Sequence, residues 1–293
     1  MFGRREVSFL RVFVGSCLAA ATWTTAAEGE LQPEAVGSSP AIEHAKLSTA
    51  DASPVDPGHV ELELGYSGTW SRHAWDSDGN THGRGSLREQ ALGLAVTVGV
   101  VPNLDVSVGL DYLWLHDSES DSATTGDDIG DLGLGGRYRF FSSEEHGIEA
   151  AWISGVTAPT GSRSHEHELG CSQEFWSWDN SLVLTKDWTR WTLNAEVGWS
   201  QPFGEKRGDD RGTLSANLAT GYQLFAWLQP EIELNYGREF ETGEDDATCV
   251  AVTAGLVMPI NDCLRLNLGV QQGVWGENAD RVTTALLAVK VGF

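Results

Sequence analysis

The last eleven residues, TTALLAVKVGF (283–293), decide the fold. Ala285, Leu287, Val289 and Val291 fall on one face, while Thr284, Leu286, Ala288, Lys290 and Gly292 fall on the other. That is a period-2 strand with one greasy face. It runs into the aromatic Phe293 without the few polar residues that usually trail from a terminal strand. A strand used up to its last residue is expected where both of its edges are paired, as in the closing strand of a barrel.

The same pattern recurs upstream. HVELELGYSGTW (59–70) sets Val60, Leu62, Leu64 and Tyr66 against Glu61, Glu63, Gly65 and Ser67, and LDVSVGLDYLWL (104–115) sets Leu104, Val106, Val108, Leu110, Tyr112 and Trp114 against Asp105, Ser107, Gly109 and Asp111. QALGLAVTVGV, DLGLGGRYRF, WTLNAEVGW, TLSANLATGYQL, EIELNYGREF, CVAVTAGLVM and CLRLNLGVQQGVW follow suit. GIEAAWISG is less regular, and FWSWDNSLVLT is ambiguous in register because Asn180 interrupts its greasy side. Together they predict an all-β chain of about twelve strands, each roughly ten residues long, the length of a tilted membrane-spanning strand.

The connections alternate. VPN, FSSEEHG, KDWTR, FAWL and PIND are short, whereas SRHAWDSDGNTHGRG, HDSESDSATTGDD, TAPTGSRSHEHELGCSQE, SQPFGEKRGDDRG, ETGEDDAT and GENADR are longer and polar. Sorting of loops by parity is expected of an up-and-down transmembrane barrel, with turns in the periplasm and loops outside. A soluble β-sandwich has alternating strands but no reason for such sorting. The lipid-side face carries almost no mid-strand charge, and Trp70, Trp114, Trp191, Trp199, Trp227 and Trp275 fall near strand ends, where interfacial girdles form.

The N-terminus supports an outer-membrane destination. MFGRREVSFLR, an apolar run VFVGSCLAAATW and the small residues TTAA have the layout of a secretory signal peptide, residues 1–27. The run is too short to span a bilayer, and Cys17 lies in a poor match to a lipidation site. The whole chain has 19 basic and 42 acidic residues; removing the signal takes three arginines and one glutamate, leaving a net charge of −25. Such a chain is not expected to bind nucleic acid. Residues 28–57, rich in Ala, Ser, Pro and Glu, read as a flexible periplasmic segment, or as one that folds into an interior. The barrel is expected over 58–293.

With these features in place, IGDLGLGGRYRF (129–140), TAPTG (157–161) and PEIELNYGREF (230–240) resemble the outer-membrane transporter family linked to meta-pathway phenol degradation. The terminal aromatic also resembles the signal read by the outer-membrane assembly machinery, which makes Phe293 the assembly-signal residue. The family resemblance implies passage of small, often aromatic or hydrophobic solutes across the outer membrane of a Gram-negative-type cell. It supplies no defined functional residues, and the long acidic loops depart from its usual pattern.

The residues offer little catalytic chemistry. SHEHE (His165, Glu166, His167, Glu168) reads as a solvated loop, DSDGN (76–80) lacks the closing Glu of a calcium loop, and RGD (207–209) carries no weight. No GxSxG occurs, so no enzyme, cofactor or metal is expected. The inward faces are more informative: Glu61, Glu63, Glu89, Asp105, Asp111, Asp131, Glu149, Glu196, Glu231 and Glu233 point to the lumen, opposed by Arg137, Arg139, Arg265 and Lys290. Ion pairs among them could knit the lumen shut, or the surplus of acids could line a channel favouring cations and neutral solutes. The expected partners are outer-membrane lipids, the assembly machinery and small-molecule solutes. The alternative is a non-conducting structural or surface-interaction barrel whose acidic loops bind cations. Of the cysteines, only Cys171 and Cys249 are placed to form a disulfide, both on the outer side.

Overall fold

The computed structural model describes residues 46–118, 124–164, 168–204, 207–208, 210–243 and 245–293. The signal-peptide assignment and His165, Glu166 and His167 lie outside them. The strands are β1 (Val60–Trp75), β2 (Thr81–Val101), β3 (Leu104–Asp117), β4 (Thr124–Ile129), β5 (Leu132–Ser143), β6 (Ile148–Ala158), β7 (Trp176–Asp187), β8 (Trp191–Phe203), β9 (Asp210–Tyr222), β10 (Gln229–Glu241), β11 (Ala247–Asn261), β12 (Leu264–Glu277) and β13 (Thr283–Gly292).

Neighbours pair antiparallel around a ring that closes between β1 and β13. Tyr66 lies opposite Leu287 and Glu63 opposite Lys290, so the two strands share one sense of inside and outside. The seam runs to the final residue: Val60 N donates to Phe293 O at 3.1 Å, and Phe293 N donates to Val60 O at 2.9 Å. A closed ring has no unpaired edge, as lipid requires.

Twelve strands make the wall, and β4 is a short extra one. β3 pairs with β4 over Tyr112–Asp117 and with β5 over Leu104–Gly109. Gly130 and Asp131 break the line between β4 and β5, with Gly130 N donating to Asp111 O. The acidic stretch expected to be loop through Asp128 is therefore strand from Thr124 onward. Pairing with the exposed edge of β3 satisfies its backbone, whatever the polarity of its side chains.

Alternation sorts the side chains. Leu64, Leu94, Val108, Leu134, Leu182, Val197, Leu218, Ile232, Leu234 and Val270 are exposed on the outer face, and all six tryptophans expected in the girdles are exposed too. Glutamates, asparagines, threonines and glutamines fill the inner face. β7 settles its own ambiguity: Trp176, Trp178, Leu182 and Leu184 are exposed while Ser177, Val183 and Thr185 are buried. That register places Asn180 on the outer face, where its Oδ1 accepts from Ser154 Oγ at 3.0 Å. Short turns gather at one end, following β2, β5, β7, β9 and β11, and the longer loops gather at the other.

Candidate functional site

The lumen is occupied. Residues 46–56 touch the inner faces of strands all around the ring, and Ala50, Asp51 and Ala52 are fully buried. Only a segment inside the barrel reaches so many strands at once. Lys46 Nζ lies 3.5 Å from Glu231 Oε1, and Asn267 Nδ2 donates to Lys46 O. Leu47 N and Ser48 N donate to Glu233 Oε1 at 2.8 and 3.1 Å, while Ser48 Oγ and Thr49 Oγ1 donate to its other oxygen. Ala50 N donates to Glu196 and Ala52 N to Thr185 Oγ1. Ser53 Oγ donates to Glu149 at 2.6 Å, and Val55 N donates to Asp105 Oδ2 at 2.9 Å.

The segment leaves through the turn end. Pro57 bridges to Gly99, and Gly58 turns the chain into β1 with a positive φ of 83°. Gly99 is required at this point: a Cβ there would sit 1.9 Å from Asp56 O. Over 46–56 the stretch expected to be flexible is thus held in place. Its small side chains let the backbone approach the wall, and the carboxylates supply acceptors for its N–H groups.

Several of the acids and bases expected in the lumen meet in this packing. Arg137 donates to Asp105 at 2.6 Å and to Asp51 at 3.1 Å, tying the segment to β3 and β5. Lys290 lies 2.6 Å from Glu63 and 3.5 Å from Glu61. Arg265 is fully buried opposite Lys290 across β12 and β13. Arg139, nearer the turns, donates to Glu149 at 2.6 Å and to Asn103. Glu89 is buried and Asp111 partly buried toward the loop end. Asp131 has a different role, since it accepts from Gly161 N at 3.0 Å and Gln173 N at 2.8 Å and so clamps both ends of the β6–β7 loop.

That loop folds inward. Cys171 and Leu169 pack on Ala91, Leu113 and Leu115 at the loop end of the interior, and Leu169 N donates to Thr125 O. Cys249 packs instead with Trp75 and Ala279, so Cys171 and Cys249 belong to separate clusters and are not bonded to each other.

The sequence reading missed Lys46 and Asp51 in the segment, and a band of neutral groups. Thr253 Oγ1 donates to Asn235 Oδ1, Asn235 Nδ2 donates to Asn217 Oδ1, and Gln271 Nε2 donates to both Asn235 and Thr253. These share strand parity with Glu233 and Arg265, a signal that a search confined to charges overlooks.

Residues 49–291 match the family described as "Putative MetA-pathway of phenol degradation". The chain belongs to that family. No curated protein matches the sequence. Among solved structures, it is similar to an outer membrane channel from Pseudomonas putida F1, with 14% identity and a TM-score of 0.72 over 85% of this chain and 100% of that one. It is also similar to the NanC porin, at 8% identity and a TM-score of 0.50 over 79% of this chain and 98% of that one. The Pseudomonas putida toluene transporter TodX matches at 11% identity and a TM-score of 0.46, over 84% of this chain and 95% of that one. The fold and family place the protein in a Gram-negative outer membrane.

Proposed function

We propose that this family member passes small hydrophobic or aromatic solutes across the outer membrane, and that residues 46–56 must shift for them to pass. The observation that carries this reading is the way the lumen is closed. A barrel built only to be rigid could fill its bore with side chains from its own wall. Here the turn end is filled by a segment made mostly of small residues, held by hydrogen bonds to carboxylates and by the buried charges of Lys46 and Asp51. Such a segment is separable from the wall that surrounds it. The phenol pathway in the family's description and the tryptophan-rich rims fit neutral aromatic solutes, which a surplus of lumen acids does not repel.

Vesicles containing the purified protein should take up phenol or toluene faster than protein-free vesicles, and deletion of residues 46–56 should raise ion conductance in planar bilayers. In asymmetric KCl the deleted form should favour cations, less so as salt rises. Uptake equal to that of protein-free vesicles in both forms would overturn the solute reading and favour a structural barrel.

A further inference from the structure

We propose that the outer face of β1, β2 and β13 at the loop end binds the headgroup phosphates of a phosphorylated glycolipid in the outer leaflet. Arg72, Arg88 and Arg281 line one surface cavity of about 710 Å3, together with Tyr66, Trp70, Gln90, Gln272 and Thr283. Register sets them on one outward patch. Arg88 and Thr283 both lie opposite Trp70, on either side of β1. Arg72 is two residues farther along β1, at the bulge between Ser71 and His73, and Arg281 N donates to His73 O.

The level of the patch identifies its ligand. Toward the turn end the same face is hydrocarbon-like, with exposed Leu64, Leu92, Leu94 and Leu287. Exposed Trp70 then marks the interface, and the arginines surround it or lie just beyond. Since the long loops face outward, this is the depth of the outer-leaflet headgroups. Guanidinium groups match phosphate in charge and in the fork geometry of their donors.

The patch is exceptional within so acidic a chain. All three arginines are exposed, and among the described residues none of them makes an ion pair. Three other arginines toward the loop end are engaged: Arg84 is bound by Asp117 and Asp280, and Arg211 and Arg238 share Asp246. Asp280, adjacent to Arg281, is therefore held by Arg84. Asp76 spends its carboxylate on the N–H groups of Asp78 and Asn80 within its own turn. A bed of Gln90 and Gln272 adds neutral polar groups, with Tyr66 Oη donating to Gln90 and Thr283 Oγ1 donating to Gln272.

The test uses the full protein purified from outer membranes, with native mass spectrometry to count bound glycolipid and Trp fluorescence to titrate lipid A into delipidated protein. The wild type should retain glycolipid. R72Q, R88Q and R281Q should each weaken binding roughly fivefold, and the triple variant about a hundredfold. R211Q, on another face, should bind as wild type does. Heat-modifiable gel mobility verifies that each variant is a folded barrel, and the conservative triple variant to lysine should restore part of the affinity. Equal retention by wild type and the folded triple variant would overturn the proposal. Equal affinity for dephosphorylated lipid A would also overturn it, as would saturation of the site by inorganic phosphate alone.

Discussion

Two pieces of chain fill this barrel, and they are held in opposite ways. Residues 46–56 at the turn end are gripped by carboxylates from around the ring, which accept hydrogen bonds from the segment's N–H and hydroxyl groups. The β6–β7 loop at the other end is clamped at its base by Asp131 and seated on the apolar side chains of Ala91, Leu113 and Leu115. The difference shows what strand alternation leaves open. The wall dictates which residues face inward, but their polarity dictates what kind of chain can lie against them. A charged interior accepts a backbone with small side chains, and an apolar patch accepts Leu169 and Cys171.

The largest effect should come from breaking the charged wall at the turn end. Lys290→Met leaves Glu61 and Glu63 buried without their cation, an expected loss of about 3–5 kcal/mol, read from denaturant unfolding of the barrel in lipid vesicles. A loss under 1 kcal/mol would show that Arg265 or water satisfies both acids. Arg137→Met should act in the same direction and also loosen the segment, since it unties Asp51 as well as Asp105; protease access to residues 46–56 from the turn end should rise. Unchanged protection would mean that the hydrogen bonds to Glu233, Glu196 and Glu149 secure the segment without Arg137.

On the apolar side, Leu113→Ala should cost about 2–3 kcal/mol and make Cys171 reactive toward a membrane-impermeant maleimide, leaving the segment's protection unchanged. If both fillers loosen together, the comparison fails and the interior is one cooperative unit. The smallest effect is expected outside the membrane. The hydrogen bond from Arg238 holds the Asp246 carboxyl below its ordinary value of 3.8. Its contribution is therefore present above that value and lost as pH falls through the lower, folded one. Because the pair is largely solvated, Asp246→Asn should shift stability by well under 1 kcal/mol at neutral pH, and the difference from wild type should vanish in strong acid.

Much of this architecture can be read directly from the residues. Alternation in 60–70, 104–115 and 283–293 gives strand, face and register, because one greasy side facing lipid forbids a one-residue slip. Glu233, Asp105 and Lys290 were legible as inward for the same reason. What the sequence hides is partnership across the bore. Ser48, Ala50 and Ser53 have the composition of a linker, and nothing local records that Glu233, Glu196 and Glu149 stand ready to accept their hydrogen bonds. Asp131 was legible as an inward acid but not as a loop clamp, since its partners lie 30 and 42 residues away. The break at Gly130–Asp131 leaves only a faint mark, a change of parity from Ile129 to Leu132 and Leu134, too short to separate a six-residue strand from the loop before it.

Gly99 gives this arrangement a simple logic. Its missing side chain is the space through which Val55 and Asp56 pass, with Val55 O 2.5 Å and Asp56 O 1.9 Å from where a Cβ would stand. A methyl at position 99 and the seated segment are therefore mutually exclusive. Which of the two the barrel contains is decided by one carbon atom, and every charge in the wall stays as it was.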